Sequence, residues 1–291
     1  MPTGRIVKAL SGFYYVENQD CIYQCRARGQ FRKKDLKPLV GDIVEFTIEN
    51  KNEGYIRQLF ERKNTLIRPP ICNVDQALLV FSAKEPDLNK LLLDRFLAII
   101  ENFQITPLIC ISKMDLCDEN EIKKIMSPYE TAGYQVYYIS SRFHQGIEPL
   151  KEMFHDKITV VTGQSGVGKS SLLNALDIQL NIDTNEISKA LGRGKHTTRH
   201  VELLKLYGGY VADTPGFSSL ELMMEPLDIA HSFHDFRELS SKCKFRGCLH
   251  DSEPSCAVKQ AVDDGMISKE RYEHYLSFLK ETKLLKEKKY G

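Results

Sequence analysis

The sequence predicts a multidomain chain: an N-terminal β-barrel of the OB-fold type, a central α/β domain, and a C-terminal α-helical module organised by a metal. Three observations predict it. Residues 1–68 hold five short runs in which apolar and polar residues alternate, separated by Gly or Asn-Lys-Asn punctuation. Residues 69–220 alternate strand-like with helix-like runs and carry Gly163-Gln164-Ser165-Gly166-Val167-Gly168-Lys169-Ser170 between a β-branched run and a helical one. Residues 221–291 place Cys243, Cys248, His250 and Cys256 within fourteen residues.

Composition narrows the classes. A length of 291 residues suits roughly two or three domains. The apolar share of 42% and charged share of 27% are ordinary for a globular protein. No run approaches the ~18 apolar residues of a membrane span, and Met1-Pro2-Thr3-Gly4-Arg5 lacks a charged-then-apolar leader, so a cytoplasmic monomer without a membrane partner is expected. The net charge of +1 argues against bulk affinity for nucleic acid, yet residues through Arg68 hold 13 Lys+Arg against 8 Asp+Glu, an excess of five. Eight cysteines in such a chain point to thiols or metal rather than disulfides. Cys21, Cys25, Cys72 and Cys110 have no ligand-like company and are expected to pack.

The barrel strands are expected at residues 4–9, 13–16, 21–26, 43–48 and 54–59. Between the third and fourth, Arg26, Arg28, Arg32, Lys33, Lys34 and Lys37 surround Phe31. Six cations around one aromatic, on a barrel type that commonly binds nucleic acid, predict a groove tracking an RNA backbone; a solvated basic loop is the plainer alternative.

Arg68-Pro69-Pro70 marks the boundary, since proline leaves the ladder and restricts its predecessor. Strands are expected at 74–81, 105–111 and 135–139, with helices at 88–103, 119–132 and a short one ending at Phe154. The strand 158–162 then leads into the glycine-rich segment, which fits the phosphate-binding pattern G-x-x-x-x-G-K-[ST]. Its glycines let successive N–H groups curl around a polyphosphate, at the positive end of the helix beginning near Ser171. Lys169 reaches the β- and γ-phosphates, and the Ser170 hydroxyl ligates Mg2+. This is a nucleotide-binding protein.

Other strand ends select the base. Ser112-Lys113-Met114-Asp115 resembles the guanine-reading N-K-x-D motif. A carboxylate at Asp115 accepts from both N1–H and the exocyclic amine of guanine, a pair adenine cannot supply. Lys113 lays its stem across the ring. Ser112 is shorter than Asn and cannot make the same reach toward the purine N7 edge. Ser140-Ser141, after the next strand, resembles the S-A-x motif that completes the base pocket.

Beyond the phosphate loop, residues 187–202 are polar and Gly-rich. A switch loop needs a Thr that meets Mg2+ and the γ-phosphate; Thr197 or Thr198 qualifies, with Thr198 favoured. A hairpin-like pair over 201–212 then ends in Asp213-Thr214-Pro215-Gly216, a D-x-x-G element in which Asp213 holds Mg2+ through water and the Gly216 N–H meets the γ-phosphate. GTPases of the usual kind place the base motifs after these three. Here they come first, so the parts are complete but circularly permuted, and the D-x-x-G segment leads directly into the C-terminal domain. Phe217 follows that glycine where many small GTPases orient water with Gln. His196 is the candidate substitute, against the plainer readings of a solvated loop histidine or an RNA contact.

Cys243-x4-Cys248-x-His250-x5-Cys256 supplies three thiolates and an imidazole, a closed tetrahedral zinc site with a structural role. Residues 268–289 read as an amphipathic helix with Tyr272, Tyr275, Leu276, Leu279 and Leu284 inward and a basic end at Lys286, Lys288 and Lys289.

Together these pieces resemble the ribosome-small-subunit-dependent GTPase A family (RsgA, also YjeQ or YloQ) over essentially the whole chain. The resemblance implies a late assembly factor that binds the small subunit and its rRNA near the decoding region. It also implies that the factor helps release another assembly factor and has its GTP hydrolysis stimulated by the particle. The family's catalytic histidine lies just before the switch threonines, matching His196. A pocket that ends outward at the phosphates is compatible with (p)ppGpp as a competing ligand. Two other classes stay open: a GTP-dependent RNA chaperone or translation regulator outside assembly, and a binding module without turnover.

Overall fold

The structure, a computed structural model, describes residues 1–27, 31, 36–50, 52–67, 69–177, 201–213 and 222–290. Its contacts fall into two units, Met1–Ala77 with Glu148–Thr162 and Leu173–Phe217, and Leu78–Ile147 with Gly163–Leu172 and Ser218–Gly291.

The first unit opens with β1 (Thr3–Leu10), β2 (Phe13–Asn18), β3 (Cys21–Ala27), β4 (Ile43–Asn50) and β5 (Glu53–Leu59), closed as a barrel in the order β1-β2-β3-β5-β4. Alternation turns Ile6, Val16, Cys25, Val44, Phe46 and Ile56 into the interior, where each is fully buried. The β3–β5 seam is parallel and the others antiparallel, the OB-like arrangement expected. Gly54 sits at that seam, where a Cβ would stand 2.1 Å from Thr47 O. Arg62 then grips the fully buried Asp42 through two bonds of 2.7 and 2.8 Å. The hairpin of β6 (Thr65–Leu66) and β7 (Ile71–Cys72) turns at the prolines. Cys25, Cys72 and Cys110 are buried as expected, but Cys21 is exposed, because it is the first residue of β3 and lies beyond the packed interior.

The central domain continues with β8 (Gln76–Ser82), α1 (Lys90–Asn102), β9 (Thr106–Ser112), α2 (Glu119–Thr131), β10 (Gln135–Tyr138), α3 (Glu148–Met153), β11 (Ile158–Thr162), α4 (Lys169–Leu176), β12 (Leu203–Leu206) and β13 (Gly209–Asp213). The sheet order is β10-β9-β8-β11-β13-β12. Numbered from β11 around the permuted chain, this is the order 6-5-4-1-3-2, with β12 antiparallel to β13. Every residue of β8 and β11 is buried, as continuous apolar runs in the middle of a parallel sheet require. In the first unit, the barrel meets the β12–β13 hairpin through Glu17, which accepts from Tyr210 Oη and Lys205 Nζ at 2.6 Å each. Lys8 and Glu202 add an ion pair at 2.8 Å.

The second unit ends in α5 (Pro226–His231), α6 (His234–Ser240), α7 (Ala257–Asp263) and α8 (Lys269–Tyr290). Phe233, Phe236, Tyr275 and Phe278 form its core. The inward face of α8 departs from expectation. Arg271, Tyr275, Phe278, Leu279 and Thr282 are buried, whereas Leu284 is 48% exposed. The stripe is shifted because Arg271 is drawn inward by two carboxylates. Its Nε donates to Asp94 on α1 (3.1 Å) and its Nη1 to Asp235 on α6 (2.7 Å). Tyr129, Tyr134 and Phe233 surround the guanidinium at 5.2 to 5.5 Å. No helix among the described residues is long and apolar enough to cross a membrane.

Candidate nucleotide site and metal centre

The phosphate loop is built where β11 stops. Gly163 adopts φ +148°, and a Cβ there would lie 2.0 Å from Val80 O, so the loop leaves the sheet against β8 only with glycine in place. Gly166, at φ +79°, and Gly168, at φ +93°, carry the turn onward into α4, whose first turn is secured by Leu172 N donating to Gly168 O at 2.8 Å. Lys169 Nζ donates to Gly163 O (2.9 Å) and Gln164 O (2.6 Å), which holds its charge over the loop. Ser165 and Ser171 are exposed, Val167 is buried, and Ser170 is 7% exposed at the start of the helix. Backbone N–H groups, a cation and a hydroxyl thus gather at one helix N-terminus, a set suited to phosphate and its metal.

The base-type motif lies at the end of β9. Ser112, 2% exposed, donates its hydroxyl to Val167 O at 2.5 Å, and its backbone carbonyl accepts from Ala83 N at 3.0 Å. Lys113 takes a left-handed conformation, φ +57°, and donates through Nζ to Glu85 O. Met114 N donates to Ile139 O at 3.1 Å, fastening the motif to the chain after β10. Asp115 is exposed, and its Oδ1 accepts from the fully buried Ser140 Oγ at 2.6 Å; Ser141 follows, half-buried. The motif therefore meets the loop directly through Ser112 and Val167, 55 positions apart. Sequence reasoning missed residues 82–87. Ser82 Oγ donates to Pro86 O at 2.6 Å, and a Cβ on Gly166 would lie 4.0 Å from Pro86 Cδ. The available signal was positional, since this turn follows the C-terminal end of a central parallel strand.

Asp213 closes β13, its backbone in register with Val161 on β11; its side chain lies outside the described residues, as do His196, Thr197, Thr198, Gly216 and Phe217. Of the basic loop, Arg28, Arg32, Lys33 and Lys34 also lie outside them. Arg26 stacks its guanidinium 4.8 Å from the Phe13 ring centre, and Lys37 is exposed. Phe31, the loop's aromatic, is only 6% exposed, so it packs rather than offering a face for base stacking.

The metal centre is compact. The ligand atoms of Cys243, Cys248, His250 and Cys256 all lie within 4.8 Å of one another. Cys243 Sγ and Cys256 Sγ are 3.9 Å apart, close to the ~3.8 Å edge of a tetrahedron with zinc–sulfur bonds of ~2.3 Å. His250 Nδ1 points to the same centre, 3.7 Å from Cys243 Sγ and 3.3 Å from Cys256 Sγ. Ser240 Oγ holds the other ring nitrogen at 3.2 Å. Burial holds the His250 imidazole down to about 4, so it is a neutral donor, and pushes the Cys248 thiol up to about 12 without a cation beside it. A buried cluster of this kind fits a structural Zn2+, which offsets the charge of the thiolates it gathers.

A doubly wound sheet with its phosphate loop on a central strand, and a base motif that precedes that loop in sequence, define a circularly permuted P-loop GTPase. The RsgA GTPase family model matches residues 59–223 and the RsgA N-terminal domain model residues 3–56. The chain belongs to the RsgA GTPase family. Two curated relatives carry the name small ribosomal subunit biogenesis GTPase RsgA. The Halalkalibacterium halodurans protein is 56% identical over 287 residues, and that of Bacillus subtilis 56% over 292, each covering 97% of this chain and 98% of the relative. The crystal structure of YloQ, described as a circularly permuted GTPase, matches with TM-score 0.84 and 51% identity over 97% of this chain and 95% of its own. YjeQ from Thermotoga maritima matches with TM-score 0.82 and 38% identity over 97% and 98%.

Proposed function

We propose that this GTPase acts in the cytoplasm as a monomeric, late-stage assembly factor of the small ribosomal subunit, with hydrolysis stimulated by the subunit. The hydrogen bond from Ser112 to Val167 O carries the reading, because it joins a base motif and a phosphate loop that lie in reversed sequence order. Relatives named for small-subunit biogenesis, at 56% identity over nearly the full length, support the partner. In this reading Asp115, Lys113, Ser140 and Ser141 take the guanine, and Gly163 to Ser171 with Gly216 take the phosphates. Ser170, Thr198 and Asp213 would hold Mg2+, which would offset the negative charge of the phosphates. Lys169 stabilises charge developing on the phosphates, and His196 orients the attacking water. In the same reading the chain divides into 1–68, 69–220 and 221–291, and the basic side of the first division, including Arg26 and Lys37, takes rRNA. A pocket that ends outward at the phosphates makes (p)ppGpp a competitor for the same site in this reading.

The test is phosphate release from GTP and from ATP by the full chain, with and without purified small subunits. GTP turnover that rises at least tenfold with subunits while ATP stays inert is the expected result. Equal turnover of both nucleotides, or no response to subunits, overturns the reading.

A further inference from the structure

We propose that the outer face of the barrel, at the β3–β5 seam, holds a pocket for one unpaired guanine of an RNA strand; the inference rests on the rRNA reading above and names the base it takes. Strand pairing builds the pocket. Register sets Phe13 against Arg26 and Arg26 against Tyr55, and two residues away it sets Gln24 against Glu53. Directly paired residues share a face, and the intervening Tyr14, Cys25 and Gly54 are buried on the other one. Glu49, at the bulge between Ile48 and Asn50, joins them around a cavity of about 200 Å3. Pockets for drug-sized ligands run to roughly 300–1,000 Å3, so this one has room for a single flat ring system.

The walls select the ring. The Arg26 guanidinium lies 4.8 Å from the Phe13 ring centre, a stacked pose that leaves its N–H groups pointing out along its own plane. Asn50 Nδ2 donates to Glu53 Oε2 at 3.3 Å and so steadies one oxygen of that carboxylate. Guanine offers N1–H and an exocyclic amine to carboxylates, and O6 and N7 to a guanidinium. Adenine has no N1–H, and uracil sets its one N–H between two carbonyls. The half-buried Tyr55 adds a ring against which a base can stack. Glu49 and Glu53 against Arg26 leave one excess negative charge, so the phosphates of the same strand stay outside the pocket. With Phe31 packed away, this face is the one from which the barrel can stack a base.

The experiment measures fluorescence anisotropy of labelled, unstructured RNAs on the full chain in saturating GDP, which fills the nucleotide site. The RNAs are UUUGUUU, UUUAUUU and UUUIUUU, in which inosine lacks the exocyclic amine. Wild type is expected to bind the guanine RNA about tenfold more tightly than the adenine RNA, with inosine between them. Glu49→Ala combined with Glu53→Ala should bring all three within about twofold of one another without weakening UUUAUUU. Tyr55→Ala should weaken all three by roughly tenfold. Both glutamates are exposed, and an unchanged melting temperature checks that the double variant folds. The wild-type ranking tests the proposal without any variant. Equal affinity of wild type for the three RNAs overturns it, as does a guanine preference that survives loss of both glutamates. So does an arginine-rich peptide that needs both glutamates and leaves RNA binding undisturbed, because the pocket would then seat a basic side chain of a protein. GTP turnover of wild type with small subunits, read in parallel, separates the two readings. No stimulation overturns the assembly reading, whereas stimulation without a guanine preference overturns the pocket alone.

Discussion

Ser140 Oγ donates to Asp115 Oδ1 across 2.6 Å while accepting from Phe143 N at 3.3 Å. The fully buried hydroxyl thereby sets the direction of an exposed carboxylate. A charge-assisted bond of this kind is worth about 1.5–3 kcal/mol, of which pre-orienting Asp115 uses a part. Ser140→Ala is expected to weaken GDP binding about tenfold, read by calorimetry, with the variant's melting temperature nearly unchanged. Undiminished affinity would show that Asp115 is held by its backbone alone.

The Arg271 network predicts a large stability effect. Removing one member of a buried, hydrogen-bonded charge group leaves its partners without compensation and costs about 3–5 kcal/mol. Arg271→Met takes the guanidinium from Asp235 and leaves Asp94 with His274 Nδ1 at 2.6 Å and Tyr129 Oη at 3.3 Å, and urea unfolding should report a loss toward the lower end of that range. Lys123→Ala, which breaks an exposed pair with Glu119 on α2, should change stability by less than ~0.5 kcal/mol. Similar values for the two would contradict the burial argument.

Zinc removal is predicted to unfold the helical module. Cys243→Ser or a strong chelator should release one equivalent of metal and abolish helical signal from α6 and α7 while GDP still binds. Acid acts in the same direction. Burial holds the imidazole of the folded, metal-free module down to about 4 against an ordinary value of 6.5, so unfolding that module takes up a proton between those limits. The stability from neutral His250 is complete above 6.5 and is lost as pH falls toward 4, which a melting series across that window can follow.

At the barrel, Tyr210 Oη donates to Glu17, whose side chain is 10% exposed. Tyr210→Phe should cost about 1–2 kcal/mol in urea unfolding. Lys205→Ala should cost less, since that lysine is 56% exposed.

How much of this was legible in the sequence follows from range. The phosphate loop was readable because its glycines, lysine and serine act within eight consecutive residues. The barrel strands were readable because period-two alternation is local, and each expected run overlaps an observed strand. The zinc cluster spans fourteen residues and announces itself by residue type. Contacts between distant segments were not readable. Ser112 looks like a shortened Asn until Val167, 55 positions later, is seen to take its proton. Arg271 looks like a surface residue on a helix until Asp94, 177 positions earlier, draws it inward and turns Leu284 out. Phe31 stands among cations in the sequence, and the fold buries it.

The place of β11 between β8 and β13 has a consequence for how the chain is made. As the polypeptide emerges from N- to C-terminus, β8, β9 and β10 appear first, and one edge of β8 keeps its backbone N–H and C=O groups unpaired until residues 158–162 arrive. The nascent chain therefore holds residues 112–115 and 140–141 well before the loop of residues 163–170 is made. Its vulnerable interval during synthesis is the time needed to translate the residues from β8 to β11, when a chaperone or the ribosome's own surface is best placed to shield that edge.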